Sequence, residues 1–344
     1  MATELDVRVT FPLRGGRMVL RTDLDWGRNI EAIRVSADGA MSDFRISLSQ
    51  PYLYFKPCIV DRGDLYWSQG ENYLAITDVS ERQEIYPHFF ADPPSSGTIT
   101  DPEEISDPET GSQHRIRVYL PAGYFENTLK RYPVLYMHDG QNLFFPDEAF
   151  AGVTWGVEQT LGTLDAMCLI EDIIVVGVYP NDRMNEYTKP GYEAYGRFLV
   201  DDLKPMIDAR YRTKAGPEST AVMGSSLGGV VSMYLAWQRP DVFSMAACMS
   251  STFGYRDDLL DRVRTEPRRN TRIYIDSGWP RDNYEVSRAM RDALISKGYR
   301  QGDDLLYYAF PDAVHNETFW AARFHIPIEL FFGQSPAILA RATR

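Results

Sequence analysis

The chain has 344 residues, 44% hydrophobic and 13% aromatic, enough to bury one large core or two unequal ones. A formal charge of −12 at pH 7 argues against a nucleic-acid partner, which needs a basic surface to displace the counterions condensed on phosphates, and against an anionic membrane surface. No stretch approaches the roughly 18 consecutive apolar residues of a membrane span, and the start, MATELDVRVTFPLRGG, lacks the apolar core of a signal peptide, so a cytoplasmic location is expected.

Residues 6–76 carry short β-type runs, DVRVTF, EAIRVSA, FRISLS, LYFKPCIV and NYLAI, broken by Gly, Asp and Pro clusters and with little 3.6-residue periodicity. That pattern predicts a small all-β sandwich. Between Pro87 and Gln113 the stretch ADPPSSGTITDPEEISDPETGSQ has the composition of a linker or exposed meander, which places a domain boundary near residue 94: a β-sandwich over 1–94 and a second domain over 95–344.

Beyond it, apolar runs alternate with longer amphipathic ones. Strands are predicted at 115–121, 133–139, 173–179, 220–224, 245–250, 272–278 and 305–310, and helices at 154–167, 196–211, 227–238, 284–297 and 317–332. In YEVSRAMRDALISKG, for example, Val286, Met290, Ala293 and Leu294 share a face and Gly298 supplies the stop. Continuous apolar strands separated by helices imply an α/β fold with a mostly parallel central sheet covered on both faces. Cys58, Cys168 and Cys248 are odd in number, far apart and without CxxC spacing, which fits buried thiols rather than a disulfide framework or zinc site.

At the predicted junction of strand 220–224 and helix 227–238, Gly224-Ser225-Ser226-Leu227-Gly228 fits G-x-S-x-G with Ser226 central. In that motif a strand turns sharply into a helix, the flanking positions must be small, and the serine oxygen stands exposed as a nucleophile. A hydroxyl needs a base to take its proton. Of five histidines, His315 lies just past the last predicted strand, whereas His88 and His114 sit in or beside the linker, His138 precedes the serine and His325 falls within the final helix. The acid that orients the base should lie between them, where RIYIDSGWPRDNYEV offers Asp276, Asp282 and Glu285. Asp276 reads as still within the strand, so Asp282, in the loop beyond, is the first choice. Charge developing on a carbonyl oxygen needs preorganised backbone N–H groups; Leu227, directly after the serine, and Gln141, in the loop of YMHDGQNLF, are the candidates.

YPVLYMHDGQNLF, VTWGVEQTL, MGSSLGG and HNETFWAARF together resemble the putative-esterase branch of the α/β-hydrolase superfamily, which includes feruloyl and acetylxylan esterases, enterochelin esterases, esterase D and mycolyltransferases. The resemblance spans roughly residues 96–335. It implies an α/β-hydrolase fold and a serine carboxylic-ester hydrolase that needs no cofactor or metal, acting through Ser226, His315 and Asp282 on a small or medium ester of aryl, sugar-acetyl or siderophore type. An acyltransferase on the same triad, or a binding protein on a hydrolase fold, are the alternative readings. Within this resemblance Arg183, Glu186 and Tyr187 read more as pins for the 180–197 loop than as substrate contacts, although Arg183 also stands as a substrate-binding candidate. Trp155 and Trp320 are candidates to line an acyl or aromatic pocket. The N-terminal part resembles immunoglobulin-like early-set modules, some related to glycogen- or starch-binding domains, and is expected to pack beside the mouth of the site and shape the substrate cleft.

Overall fold

In the computed structural model, residues 3–76, 82–92 and 96–334 are described. Nine strands come first: β1 (Thr3–Thr10), β2 (Arg17–Thr22), β3 (Asp25–Glu31), β4 (Arg34–Val35), β5 (Met41–Leu48), β6 (Tyr52–Asp61), β7 (Asp64–Trp67), β8 (Tyr73–Ile76) and β9 (Gln83–Ile85). They form two sheets, ordered β4-β5-β1-β9 and β3-β2-β6-β7, with β8 beside β6. Alternation dictates which face is which. Leu5, Val7 and Val9 of β1 point into a shared apolar core with Phe44 and Ile46 of β5, Leu20 of β2, and Leu53 and Phe55 of β6. On the outer face Asp6 faces Arg45 and Arg8 faces Asp43 in register, each pair making two hydrogen bonds. The expected boundary at residue 94 lies outside the described residues.

A third, larger sheet begins with β10 (Thr98–Ile99) and β11 (Glu103–Ser106), both antiparallel to β12 (Gln113–Leu120). Part of the stretch read as a linker is therefore an edge of the sheet, where charged residues such as Glu103 and Glu104 are favoured because they discourage further strand pairing. There follow β13 (Val134–His138), α1 (Val157–Ala166), β14 (Ile174–Val178), α2 (Arg183–Glu186), α3 (Gly191–Arg197), a π-helical turn at Phe198–Leu203, α4 (Lys204–Arg210), β15 (Thr220–Ser225) and α5 (Leu227–Gln238). The chain continues through β16 (Met245–Met249), α6 (Leu259–Thr265), β17 (Arg272–Trp279), α7 (Tyr284–Ser296), β18 (Leu305–Pro311), α8 (Glu317–Arg323) and α9 (His325–Phe332).

The sheet order is β10-β12-β14-β13-β15-β16-β17-β18, and every pairing from β14 to β18 is parallel. Helices α1, α8 and α9 cover one face, and α3 to α7 cover the other. This is the mostly parallel α/β sheet expected from the alternating pattern, in the α/β-hydrolase architecture that the family resemblance implies. Helix α5 is buried from Leu227 to Trp237, as a helix apolar on all sides must be. Among the described residues, no helix is long and apolar enough to cross a membrane.

Among the described residues, the N-terminal part bonds to the segment after β12 and the end of α1 and not to the loops that carry the chemistry: Asn127 Nδ2 donates to the carbonyls of Thr10 and Pro87, the Glu126 carboxylate accepts from the N–H groups of Phe89 and Phe90, and Glu71 N–H donates to the carbonyl of Ala166. Tyr119 pairs with Val175 beside the start of β14, and α1 ends just before that strand. Both contacts thus lie where the parallel strands begin, opposite the end at which Ser226 stands. The expectation that the sandwich shapes the substrate cleft is corrected accordingly. The cause is topological: β10 and β11 carry the chain up the sheet edge before β12 returns it antiparallel.

At the same end a cluster of charges is buried. Lys130 pairs with Asp172, which raises the ammonium's pKa against the opposing effect of burial. Burial, together with the neighbouring Asp172 charge, holds Asp165 well above the usual carboxylate range. Removing the cation leaves the buried Asp172 carboxylate uncompensated, so Lys130→Met should lower unfolding free energy by about 3–5 kcal/mol in urea titrations. Lys130→Met/Asp172→Leu should recover part of that loss.

Candidate active site

Six buried residues, Thr220–Ser225, bring the chain to the end of β15, and α5 starts at once at Leu227. Ser226 between them has φ 56° and ψ −120°, a conformation that costs an L-residue on the order of 1–3 kcal/mol and persists only where the surroundings enforce it. The glycines show how. A Cβ on Gly224 would lie 2.6 Å from the Gly228 carbonyl carbon, and one on Gly229 would lie 1.9 Å from Ser251 Oγ. Ser226 N–H also donates to the carbonyl of Met249 on the neighbouring strand at 2.9 Å.

His315, in the loop between β18 and α8, places Nε2 2.9 Å from Ser226 Oγ and Nδ1 2.6 Å from Asp282 Oδ1. The structure therefore brings Ser226, His315 and Asp282 into one hydrogen-bonded line. Asp282 is only 2% exposed. Burial pushes its carboxyl up, but hydrogen bonds from His315, Ser250 and Gly278 outweigh that and hold it below its ordinary value. Ser250 Oγ–H and Gly278 N–H both donate to Oδ2, at 2.5 and 3.0 Å. The two other acids lie elsewhere. Glu285 is exposed and paired with Arg288, and Asp276 is inside β17.

Strand β13 is the parallel neighbour of β15, so the loop after it opens beside Ser226. A Cβ on Gly228 would touch His138 Cβ at 3.4 Å and Asp139 Oδ2 at 3.5 Å, which fixes how close the two loops run. Asp139 has φ 57° and leads into a short 3-10 turn, Gly140–Asn142. Gly140 is required there, since a Cβ would lie 2.7 Å from the carbonyl carbon of Gly177. Gln141 and Leu227 both sit in the first turn of a helix, where N–H groups have no acceptor within the helix.

Arg183 grips Asp139 with both arms of its fork, Nε to Oδ1 at 2.7 Å and Nη2 to Oδ2 at 2.8 Å. Tyr187 Oη accepts from Asp139 N–H at 3.0 Å, and Glu186 accepts from the N–H groups of Asn181 and Asp182. Arg183 and Tyr187 pin the 180–187 loop to Asp139, and Glu186 braces that loop from within. Trp155 and Trp320, the candidates for a pocket lining, are 3% and 5% exposed and pack together in the core, with the Trp320 ring edge-on to His315 at 4.9 Å. They support the site from behind rather than offering a surface to substrate, since Trp320 of α8 and Trp155, two residues before α1, are both buried in the core on one face of the sheet.

Sequence reasoning did not single out Asp139 or Ser250. Asp139 lay within a quoted motif, and its left-handed backbone is visible only in the structure; Ser250, with φ 43°, follows an apolar strand and carries no sequence signal. Among the described residues, no cluster of three or more His, Cys, Asp or Glu could hold a metal ion.

The profile of the family described as Putative esterase matches residues 108–326, well over half of the chain and the whole span from β12 to the start of α9. The chain belongs to the putative esterase family. As a member of this esterase family it is a carboxylic ester hydrolase. It is 22% identical over 260 residues to the uncharacterized protein YbbA of Bacillus subtilis (strain 168), covering 68% of this chain and 98% of that one. A solved ferulic acid esterase superposes with TM-score 0.59 at 18% identity, over 69% of this chain and 98% of its own. The ferric enterobactin esterase of Salmonella typhimurium superposes with TM-score 0.57 at 14% identity, over 94% of this chain and 89% of its own. At such identities the likeness is one of fold, and in the second case the span takes in most of the N-terminal strands.

Two predictions come from the loop beside Ser226. Arg183→Leu should reduce kcat by roughly 10- to 100-fold, since a misplacement of about 1 Å carries that penalty, with KM nearly unchanged in steady-state assays. A rise in KM alone would instead make Arg183 a substrate contact. His138 is buried against Tyr195, and burial, with the nearby Arg183 charge, lowers its pKa to about 3. The unfolded chain protonates this imidazole near 6.5, whereas the folded chain resists until about 3, so the stability it contributes above pH 6.5 is lost as pH falls through that window. Urea unfolding should lose roughly 3 kcal/mol between pH 6.5 and pH 4, and His138→Phe should flatten that slope.

Proposed function

We propose that the protein hydrolyses carboxylic esters through Ser226 as nucleophile, His315 as general base and Asp282 as the orienting acid. The observation that carries this reading is the continuous line of hydrogen bonds Ser226–His315–Asp282, with the serine on a strained turn. His315 Nε2 takes the hydroxyl proton as Ser226 Oγ bonds to the ester carbonyl carbon. The N–H groups of Leu227 and Gln141 receive the oxyanion. His315 then protonates the departing alkoxide, leaving an acyl group on Ser226, and a water activated by the same imidazole releases the acid and restores the serine.

The substrate we assign is an ester of an aromatic acid, of the feruloyl or catecholate kind. Large apolar side chains are exposed on loops that follow five of the parallel strands: Phe150 after β13, Met184 after β14, Tyr255 after β16, Trp279 at the end of β17 and Val314 after β18. In a parallel sheet those loops all open at the end where Ser226 stands, so their apolar groups rim the site. The name of the ferulic acid esterase that shares the fold agrees with such an acyl group.

Initial rates on methyl ferulate and on p-nitrophenyl acetate, butyrate and octanoate test both parts. Ser226→Ala should abolish hydrolysis, and Asp282→Asn should lower kcat by about 10⁴-fold through loss of histidine orientation. Methyl ferulate should give the highest kcat/KM among methyl and short-chain alkyl esters compared on equal leaving groups. Undiminished activity in folded Ser226→Ala would remove the nucleophile, and preference for acetate would move the substrate class to small acyl groups.

A further inference from the structure

We propose that Arg323 is a positioning residue for Asp282, acting through the hydroxyl of Ser250 and anchored by Asp276. The proposal rests on the triad reading above. Arg323 lies at the end of α8 and is 5% exposed, its guanidinium 5.0 Å from the centre of the Phe310 ring. Nη2 donates to Ser250 Oγ at 2.9 Å, and Ser250 Oγ–H in turn donates to Asp282 Oδ2 at 2.5 Å. Nε stands 3.2 Å from Asp276 Oδ2. Asp276 is fully buried. Its Oδ1 accepts the N–H of Ser250 at 3.0 Å and its Oδ2 accepts the Tyr274 hydroxyl at 2.8 Å.

The segment from His315 to Arg323 therefore holds one carboxylate by both oxygens. His315 binds Oδ1 directly, and Arg323, eight positions on, reaches Oδ2 through Ser250. That double grip fixes the rotation of the Asp282 carboxylate, and with it the ring of His315. Gly278 N–H also donates to Oδ2, so losing Ser250 leaves that oxygen with one donor instead of two and loosens the carboxylate without freeing it.

Charge matters as well as geometry. Asp276 and Asp282 are buried side by side, and the cation that faces both is Arg323; the other polar groups around the cluster are the Tyr274 hydroxyl on β17, Ser250 after β16 and His315 after β18. Desolvation raises the Asp276 pKa to about 6, with Arg323 opposing the shift.

The experiment compares kcat and KM for wild type, Ser250→Ala, Arg323→Lys and Arg323→Met/Asp276→Asn. The double variant leaves no uncompensated carboxylate at position 276, which guards against loss of folding. Ser250→Ala and the double variant should lose roughly 10- to 100-fold in kcat with KM nearly constant. Arg323→Lys, which keeps the charge but not the fork, should also lose kcat with KM nearly constant. Wild-type kcat in the folded double variant would show that Arg323 merely neutralises Asp276. Labelling with a fluorophosphonate separates this from the triad itself: modification at a serine other than Ser226 overturns the triad, whereas modification at Ser226 alongside wild-type kinetics in the variants overturns the role of Arg323 alone.

Discussion

Everything at this site depends on one unfavourable backbone turn. Ser226 occupies a φ/ψ region that its own side chain opposes, and the chain can hold it there because Gly224 and Gly229 let strand, turn and helix come closer than any Cβ would permit. The energy stored in the turn is met by the packing of α5, whose residues from Leu227 to Trp237 are buried. A helix anchored so deeply cannot relax toward a gentler entry. The hydroxyl is thereby presented at a fixed point, and the groups around it need only be brought to that point by their own loops.

Those loops are disciplined by arginine–carboxylate pairs of differing kinds. Arg183 holds Asp139 with a two-pronged contact at the edge of the site, and Arg323 stands behind Asp282 in the interior. Buried carboxylates next to a reacting centre are costly unless paired and hydrogen-bonded. Here strands set the positions on both sides: Ser250, a donor to Asp282, follows directly on β16, and Asp139, the carboxylate that Arg183 grips, follows directly on β13. The rigidity of the sheet is passed on to side chains that the sheet does not itself contain.

The central elements of the large parallel sheet were legible because their apolar runs are long and buried on both faces, and the strand–turn–helix junction at Ser226 could be read from three glycines. Asp282 was legible by order and by lying past the end of a strand. Other features were not. Strands β2 and β7 escaped because RMVLRT carries two arginines and DLYW is only four residues long; β11 escaped because an edge strand is built from the same acidic residues as a linker. Helix α6 was missed, and the final helix is broken at Phe324 into α8 and α9. The roles of Asp139, Ser250, Asp276 and Arg323 depend on contacts between segments 26 to 73 residues apart, which no local pattern encodes.

The position of the sandwich at the far end of the sheet has a consequence for access. Strand β15 contributes six residues of rise, so the reactive hydroxyl stands about 20 Å above the level at which the N-terminal strands dock, at roughly 3.3 Å per residue. The serine is bordered by short loops of the sheet to which it belongs, and the N-terminal strands cast no shadow over it. An ester carried on a bulky scaffold can approach from above without meeting them, and changes in the outer face of the sandwich leave the approach path untouched.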